Sequence, residues 1–353
     1  MDTKHEFHLG GRRIGKLENP YVIAEISANH GGSLSAALDL VDIVARAGAN
    51  AVKLQHYRPE TITTRSNLPE FKVGGGTLWD GRQLFDLYAE AMTPWEWTEA
   101  IFERASEKGL ICFSSPFDTT AVDFLEEHNV VAYKVASFEL VDIPLIEYIA
   151  RTGKPMIMST GMATVEEIDD AVNAARGAGN TQLALLRCNS GYPANLHEMD
   201  LSAIPFMRDR WDCEIGLSDH TLDSTASVAA IALGATIIEK HIIARRSDGG
   251  PDAAFSCEPD ELTKLIQQVN DAWSAMGTVR FGPSERENAS IAFRRSLRVS
   301  SAMRAGDIIS EANVRSMRPA GGLLPVHMKD LVGKRVSEDL EIGAAVTWDV
   351  VEP

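Results

Sequence analysis

Eight short apolar segments run through most of the chain, and each is followed by a segment whose apolar residues have helical spacing. Eight strand–helix units within about 280 residues match a TIM barrel, in which parallel strands close into a cylinder surrounded by helices. A doubly wound open sheet is the alternative, but the G-x-G-x-x-G turn expected after its first strand is missing. The pattern therefore predicts an α/β fold, the TIM (β/α)8 barrel. The eight segments are YVIAEISANH, AVKLQHY, LICFSSPFD, VVAYKVASFE, PMIMSTGM, QLALLRCNSGYP, CEIGLSDHT and ATIIEKHII.

Polar residues stand at the carboxyl end of nearly every one of these segments, whereas the bodies of the segments are apolar. In a parallel barrel all the carboxyl ends reach the same face, which is where TIM-barrel active sites lie. The polar groups therefore favour the barrel and place a site at its top. They are Glu25, Lys53, Ser114, Ser115, Lys134, Ser159, Thr160, Ser190, His220 and His241.

The pattern changes after the last helical segment. We predict that residues 1–282 form the barrel domain, that the polar stretch 283–292 is a linker, and that 293–353 form a small β-rich domain. Sixty or so residues of short strands and turns are too few to carry chemistry alone. In that domain the Arg318–Pro319 pair, followed by two glycines, can project a guanidinium from a bent loop.

The net charge limits the partners that the chain can have. A net charge of -16 argues against a nucleic-acid or anionic-membrane surface, and any anionic substrate needs locally placed cations. No apolar run approaches the ~20 residues of a membrane span, and the start of the chain, MDTKHEFHLGGRR, has no apolar signal core. The four cysteines show no CxxC pairing, as expected for free thiols in a reducing cytoplasm.

Two histidines end consecutive predicted strands, His220 after GLSD and His241 after IIEK. Because a βαβ unit brings both strand ends to one edge, the imidazoles can meet, with Ser218, Asp219 and Glu239 beside them. Two histidines without a thiolate pair suit a divalent ion that keeps open positions for water and substrate, rather than a closed zinc site. A lone histidine is more often a core or surface residue, but the paired position favours a metal site.

Two lysines, Lys53 and Lys134, lie inside apolar strands, where solvation by water is not expected. They can form Schiff bases, as in an aldolase, or hold a phosphate or carboxylate as cations. Their neighbours Ser115, Ser137 and Ser159 favour an anion cradle. The remaining alternative pairs each lysine with a buried carboxylate.

Four further residues have two interpretations each. Glu25 and Glu139 are candidates for acid–base work or for binding sugar hydroxyls, and otherwise would form salt bridges with the lysines. Asp252 in DGGPD either serves the site or stabilises a turn. Tyr192, beside a proline, either contributes to the site or only packs against neighbouring side chains.

At this point the motifs resemble those of the sialic acid (nonulosonic acid) synthases. The resemblance runs through nearly the whole chain, and no single motif carries it. The motifs are NHGG at 29–32, KLQ at 53–55, SSPFD at 114–118, YKVAS with Glu139, MSTGM at 158–162, GLSDHT at 216–221, EKH at 239–241, GGPD at 249–252 and RPAGG at 318–322.

The resemblance implies a phosphoenolpyruvate-dependent synthase, a transferase of the alkyl- or aryl-transferring type, that joins phosphoenolpyruvate to an open-chain acetamido sugar. It implies a TIM barrel followed by an antifreeze-like (SAF) domain, a divalent ion (manganese first, with cobalt or magnesium as alternatives), a cytoplasmic location and a domain-swapped homodimer. Among the site residues, Glu25, Glu139, Lys53 and Lys134 would be catalytic, and His220 and His241 would bind the metal. Phosphoenolpyruvate would be held by Lys53, Ser115, Lys134, Ser137, Ser159 and Ser218, while Glu25, Glu139, Tyr192 and Asp252 would face the sugar. Gln55 and Ser190 would also bind substrate, and Arg318 would reach the site from the partner subunit.

One departure from the family pattern concerns the sugar. N-acetylneuraminate synthases carry asparagine two residues before the tyrosine that corresponds to Tyr192, whereas this chain has Ser190 at that position. The segment GGGTLWDGRQLFDLYAEAMTPWEW resembles the corresponding loop of pseudaminic acid synthases, which take a 2,4-diacetamido-2,4,6-trideoxy sugar of the altrose type. Its Leu78, Trp79, Phe85 and Tyr88 would cover the sugar or form the loop's own small core. N-acetylneuraminate or legionaminate synthesis, a Schiff-base aldolase and a carbohydrate-binding protein remain the alternatives.

Overall fold

The structure is a computed structural model that describes residues 7–353. It divides into two compact units, Met1–Gly277 and Thr278–Pro353. The first six residues lie outside the described part of the chain, and they include the start of the segment predicted to lack a signal core. Between residues 7 and 353, no helix has both the length and the apolarity to cross a membrane.

The first unit opens with an antiparallel hairpin of β1 (Phe7–Leu9) and β2 (Arg12–Ile14). Its apolar side chains are buried in the main core. The His8 amide donates to the Gln182 side chain, 3.3 Å, just ahead of a barrel strand. The hairpin therefore contacts the amino ends of the strands, at the face opposite the predicted site.

Eight parallel strands then close into a barrel, which confirms the predicted (β/α)8 fold. Each strand pairs with the next along the chain, and the last pairs with the first. The register places Lys53 and His241 on either side of Glu25, and Ser115 opposite Gln55. The strands are β3 (Tyr21–Glu25), β4 (Ala51–His56), β5 (Ile111–Pro116), β6 (Tyr133–Val135), β7 (Met156–Ser159), β8 (Leu183–Cys188), β9 (Glu214–Asp219) and β10 (Ile237–His241).

Helices alternate with these strands, and their ends carry the expected caps. Ser33 accepts a hydrogen bond from the Ala36 amide at the start of the first helix, and Gly48 ends that helix in the left-handed conformation. Thr164 and Glu167 form a capping box on a later helix. The helices of this unit are α1 (Leu34–Ala47), α2 (Pro59–Ile62), α3 (Leu84–Ala91), α4 (Thr98–Glu107), α5 (Thr119–Glu127), α6 (Ile143–Ala150), α7 (Val165–Gly177), α8 (Ala203–Trp211), α9 (Thr225–Ala232) and α10 (Pro259–Met276). Short 3-10 helices span Ser27–His30, Pro69–Phe71, Trp95–Trp97, Ser137–Glu139, Leu196–Glu198, Arg246–Asp248 and Ala253–Phe255.

Alternation along each strand decides which polar side chains enter the barrel. In β4, Lys53 and Gln55 share one face, and Nζ of Lys53 donates to Oγ of Ser115 inside the barrel, 3.2 Å. The next residue, His56, lies on the other face, where its Nε2 is 2.8 Å from Oγ1 of Thr98 at the start of α4. Burial lowers the pKa of His56 to about 3, so this histidine is a neutral structural group.

The second unit is smaller and has its own core. Its antiparallel strands β11 (Ser296–Val299) and β12 (Val314–Met317) pair with Val299 opposite Val314. Isolated bridges, the helix α11 (Met328–Leu331) and the 3-10 helices Asn288–Phe293, Pro325–His327 and Trp348–Val350 complete it. The core includes Leu297, Val299, Met303, Ile309, Val314, Leu331, Val336 and Val346.

Candidate active site

Two lysines and two glutamates form a buried ionic cluster inside the carboxyl end of the barrel. Glu25 of β3 contacts Nζ of Lys53, its partner in register on β4. Glu239 of β10 lies between the two lysines. Its Oε2 is 4.0 Å from Nζ of Lys53, and its Oε1 is 3.8 Å from Nζ of Lys134. Because these side chains are at most 5% exposed, the four charges are balanced by one another rather than by water.

The two lysines differ in how firmly they hold their protons. Burial alone would lower the pKa of Lys53, but the carboxylates of Glu239 and Glu25 outweigh burial and raise it. Burial lowers the pKa of Lys134, and Glu239 opposes this only in part. Lys53 is therefore a permanent cation, whereas Lys134 releases its proton more readily.

The two glutamates differ in the same way. Burial raises the pKa of Glu25 to about 7, and the ammonium group of Lys53 offsets only part of this effect. For Glu239, Lys134 and Lys53 outweigh burial and lower the pKa below its ordinary value. At neutral pH, Glu239 is thus a fixed carboxylate, while Glu25 can gain or lose a proton.

Buried hydroxyl groups surround the cluster. Oγ of Ser159 accepts from Nζ of Lys134, 2.6 Å, and Oγ of Ser218 donates to Oε1 of Glu239, 3.1 Å. With Ser115 beside Lys53, the ammonium and hydroxyl groups provide the donors that an anion needs. The lysines also pair with carboxylates here, as the ion-pair interpretation expects, and the anion cradle stays a prediction.

Ser137 and Ser190 line the adjoining part of the rim, around Gly161. The Gly161 amide donates to Oγ of Ser137, 3.1 Å, and a Cβ at position 161 would collide with Oγ of Ser190. Only glycine permits this close approach. A cavity of about 520 Å³ opens beside Ser190, with Met162 and Asn189 among its lining residues.

The two predicted metal ligands meet at the edge of the cluster. The ring centroids of His220 and His241 are 5.4 Å apart. Nδ1 of His220 lies 2.8 Å from the Asn189 carbonyl, which can only accept, so the Nδ1–H donates and the neutral form of this imidazole carries its lone pair on Nε2. Nδ1 of His241 is buried and has no hydrogen-bond partner.

These histidines fit a divalent ion. A ligating imidazole commonly donates its second nitrogen to a backbone carbonyl, as His220 does, and the orphaned nitrogen of His241 lacks a partner that an ion would supply. In residues 7–353, no group of three or more His, Cys, Asp or Glu side chains is arranged to hold a metal. Two imidazoles would therefore leave the remaining positions to water or substrate oxygens.

A second buried ion pair supports the strand ends that carry the histidines. Lys240 and Asp219 point away from the barrel interior, and Nζ of Lys240 is 3.1 Å from Oδ2 of Asp219. The Asp219 carboxylate also accepts from the Thr221 amide, 2.9 Å, and from Oγ of Ser227, 2.7 Å. These contacts fix the turn on which His220 lies.

Asp252 lies beside the histidine pair rather than in a remote turn. Its Oδ2 accepts from Oγ of Ser27 and is 3.8 Å from Nδ1 of His241. Burial raises the pKa of Asp252, and the Ser27 hydroxyl opposes the rise.

Aromatic rings form a wall over the histidines. The ring centroid of Tyr192 is 4.5 Å from that of His220, 4.9 Å from Phe255 and 5.5 Å from Trp79. The centroid of Phe255 is 4.9 Å from that of His241. The wall is therefore the apolar boundary of the site.

The loop after β4 divides its apolar residues between two roles. Trp79 reaches the aromatic wall, whereas Leu78 is 47% exposed. Phe85 lies beneath the guanidinium of Arg65, 3.9 Å from ring centroid to Cζ, and so belongs to the loop's own packing. Tyr88 packs edge-on against Tyr57.

Glu139 lies at the other side of the cluster, on the 3-10 helix after β6. Its Oε2 is buried without a hydrogen-bond partner. Burial raises the pKa of Glu139 to about 7, although the positive charge of Lys134 opposes the rise. A carboxyl group in this position can donate a proton, accept one or bind a substrate hydroxyl near neutral pH.

We predict that Glu139→Gln stabilises the protein at pH 8 but not at pH 4. The folded-state pKa is raised, so the native protein keeps the proton to higher pH than the unfolded chain, and the stability from this group is lost as pH rises through about 7. The amide avoids that loss, which amounts to about 3 kcal/mol for a rise of this size. Thermal unfolding of both proteins at the two pH values measures the difference. Glu103→Gln, on the exposed side of α4, serves as the control, and equal shifts for the two variants would contradict the prediction.

Two predicted site residues remain to be placed, one in each unit. Gln55 is half-buried one inward position beyond Lys53 on β4. Arg318 is exposed in the second unit, where Arg298 holds the loop that follows it by donating to the carbonyls of Pro319, 2.9 Å, and Ala320, 2.6 Å. The site roles assigned from the sequence stay predictions.

Sequence reasoning left three residues of the site unassigned. Glu239 was named only as a neighbour of the histidines, although its position two residues before His241 puts it on the same inward face. Cys188 likewise lies on the inward face of its strand, β8, and its Sγ is 3.9 Å from Nδ1 of His220. Alternation along the strand was the signal that would have found both. Phe255 follows Asp252 on a loop, and no local pattern indicates its role.

The chain is similar to known proteins along most of its length. Residues 40–281 match the model of the NeuB family, and residues 294–352 match the SAF domain. The pseudaminic acid synthase of Campylobacter jejuni (strain 81-176) is 41% identical over 326 residues, which cover 92% of this chain and 95% of the relative. An N,N'-diacetyllegionaminic acid synthase, also from Campylobacter jejuni, is 33% identical over 323 residues, covering 90% of this chain and 96% of the relative.

A solved structure is similar in both sequence and fold. It is the N-acetylneuraminic acid synthetase of Leptospira borgpetersenii, with 32% identity and a TM-score of 0.72, and the match covers 81% of this chain and 95% of that protein. The similarity therefore extends to relatives that are named for different nonulosonic acids.

Proposed function

The chain belongs to the NeuB family, and from that premise we propose that it condenses phosphoenolpyruvate with an open-chain acetamido sugar to form a nonulosonic acid and phosphate. The resemblance seen in the motifs is confirmed by the family match and by the 41% identity. The observation that carries the proposal is the buried cluster of Lys53 and Lys134 with its hydroxyl groups, which lies beside the histidine pair. It offers locally placed amine and hydroxyl donors in a chain whose overall charge repels anions.

The sugar in this proposal is 2,4-diacetamido-2,4,6-trideoxy-altrose, and the product is pseudaminic acid. The higher identity to the pseudaminic acid synthase than to the legionaminic acid synthase supports this assignment. So do Ser190 beside its cavity and the apolar wall that Trp79 completes. The alternative substrate is N-acetylmannosamine or a related sugar.

Binding of phosphoenolpyruvate would draw the lysines toward its phosphate and carboxylate. Nζ of Lys53 and Nζ of Lys134 already donate to Ser115 and Ser159, so the cations and hydroxyls form one set of donors. Ser137, on the 3-10 helix after β6, and Ser218, on β9, extend this set of hydroxyls. The donors orient C3 of phosphoenolpyruvate toward the sugar and stabilise the charge that develops during addition.

His220 and His241 would hold a divalent ion, manganese first, with cobalt or magnesium as alternatives. When bound, such an ion supplies Lewis acidity toward a carbonyl oxygen. Asp252 and Tyr192 line the space around the imidazoles and would orient the sugar. Glu139 would bind a sugar hydroxyl or move a proton to or from it.

Glu25 would move the proton of the attacking water. After C3 bonds to the aldehyde carbon, water adds at C2 and phosphate leaves with cleavage of the C–O bond. A carboxyl group whose pKa is raised to about 7 is suited to accept that proton at neutral pH. Once Lys53 turns to the anion, Oε2 of Glu25 would be free for this role.

The assembly in this proposal is a domain-swapped homodimer in the cytoplasm. Arg318, exposed on its loop, would complete the barrel site of the partner subunit. The four cysteines form no disulfide, consistent with a reducing compartment.

A Schiff-base aldolase is the second candidate, because burial lowers the pKa of Lys134 as an amine nucleophile requires. Borohydride trapping in the presence of substrate separates the two mechanisms. The synthase forms no adduct, whereas an aldolase gains one on Lys134.

Phosphate release from phosphoenolpyruvate, measured across a panel of acetamido sugars, tests the function and the substrate together. We expect the trideoxy sugar to exceed N-acetylmannosamine in kcat/KM by about a hundredfold, since each of its two apolar groups contributes roughly tenfold. Comparable turnover of N-acetylmannosamine would contradict the proposed sugar substrate but not the proposed synthase activity. Sugar binding without phosphate release would indicate a binding protein instead.

A further inference from the structure

The segment between Lys72 and Gln83 folds as a small hairpin on its own hydrogen bonds. These two residues form an antiparallel bridge, and the Val73 amide donates to the Arg82 carbonyl, 2.8 Å. At the tip, the carboxylate of Asp80 accepts from the amides of Gly76 and Thr77, 2.8 Å each. Hydrogen bonds within the hairpin therefore support its shape.

Trp79 is the one side chain between positions 74 and 80 that is not exposed. Its Nε1 donates to the Pro251 carbonyl, 2.8 Å, and its ring lies 5.5 Å from that of Tyr192. The neighbouring Leu78 points to solvent. A single indole therefore anchors the tip of the hairpin.

The two points that Trp79 touches both belong to the site. Tyr192 packs against His220, and Pro251 precedes Asp252, whose carboxylate lies 3.8 Å from His241. The indole thus spans the two loops that flank the histidine pair. A sugar whose aldehyde reaches the histidines would have its distal carbons beside this ring.

We propose that Trp79 is a specificity-determining residue and that residues 72–83, here called the hairpin lid, carry it over the sugar. The proposal rests on the proposed function. The Nε1–H of Trp79 is occupied by Pro251, so the indole offers the substrate an apolar face and no hydrogen bond. Such a face favours a methyl or acetamide methyl group over a hydroxymethyl group. Because Trp79 anchors the tip, release of this one indole would let the tip move aside for the sugar to enter and return over it.

Steady-state kinetics of three variants test the proposal with both sugars. Trp79→Ala should lower kcat/KM for the trideoxy sugar about tenfold and change that for N-acetylmannosamine less than about twofold, because only the apolar contact is lost. Trp79→Phe keeps an aromatic face and should retain most of the discrimination. Leu78→Ala, one residue away and exposed, is the matched control and should behave as the parent. The KM for phosphoenolpyruvate should stay unchanged in all three.

An equal loss with both sugars and with phosphoenolpyruvate would show that Trp79 is merely structural, and unchanged discrimination would also overturn the proposal.

Limited trypsin digestion supplies a readout that does not depend on activity, since Lys72 and Arg82 lie near the two ends of the hairpin lid. Trp79→Ala should be cut there several times faster than Leu78→Ala. If the parent releases no phosphate with any sugar, the proposed function is wrong, and the specificity role of Trp79 is then wrong as well, whatever the digestion shows. If the parent prefers the trideoxy sugar while Trp79→Ala keeps that preference and its trypsin resistance, only the role of Trp79 fails.

Discussion

Removal of divalent metal with a chelator is expected to reduce phosphate release on the order of a thousandfold, since Lewis acidity at a carbonyl is worth several kcal/mol. His220→Ala and His241→Ala should each cause a comparable loss. Both histidines lie at the carboxyl face of the barrel, where residues serve function more than stability, so the variants should unfold at nearly the parent temperature. Manganese should restore activity to the chelated parent, with cobalt or magnesium as alternatives.

Calorimetric titration with manganese gives a readout besides activity. The parent should bind one ion per barrel, and each alanine variant should bind far more weakly. His197→Ala, an exposed histidine on the loop after β8, is the matched control and should bind and turn over as the parent does. Full activity of the double variant His220→Ala/His241→Ala in metal-free buffer would end the metal hypothesis.

The second large effect is expected from mixed dimers. Lys53→Ala removes a cation from the barrel, and Arg318→Ala removes the guanidinium that the swapped domain would bring to the partner. Each homodimer should be nearly inactive. After dissociation and remixing, half of the dimers pair an intact barrel with an intact arginine at one of their two sites, so about a quarter of the parent activity should return.

The choice of the barrel variant matters, because Lys53→Ala leaves Glu25 buried without its cation, which can cost several kcal/mol, and leaves Glu239 with Lys134. His241→Ala serves as a second barrel-inactive partner and should complement Arg318→Ala in the same way. The negative control mixes two barrel variants, Lys53→Ala and His241→Ala. Neither barrel of the mixed dimer is then intact, so no activity should return. If neither mixture with Arg318→Ala regains activity, the swap is wrong or Arg318 is structural.

The eight strands and their helices could be predicted because each depends on local periodicity. A short β-branched run fits a buried strand whatever surrounds it, and caps such as Ser33 act within one helical turn. The same locality explains why the strand-end residues Lys53, Lys134, His220 and His241 could be placed on one face before the structure was known. Closure of the barrel is set by the pairing of β10 with β3, the last strand with the first.

The partners of those residues could not be predicted, because they depend on distances between strands far apart in the chain. The sequence allowed Lys53 and Lys134 to be Schiff-base amines, an anion cradle or halves of ion pairs. The fold sets Glu239 between them, at 4.0 Å and 3.8 Å, and places Glu25 against Lys53. With both carboxylates beside it, Lys53 has a raised pKa, whereas that of Lys134 is lowered by burial.

By itself, then, the sequence determined the barrel, the face on which the polar groups meet and the family to which the motifs belong. Only the tertiary structure decided which aromatic residue of the segment after β4 faces the site. Trp79 lies on a loop and Phe85 six positions later at the start of α3, yet one contacts Tyr192 and the other lies under Arg65. The physical reason is that a strand's side chains alternate by a fixed rule, whereas a long connecting segment is oriented by whatever long-range contacts anchor it.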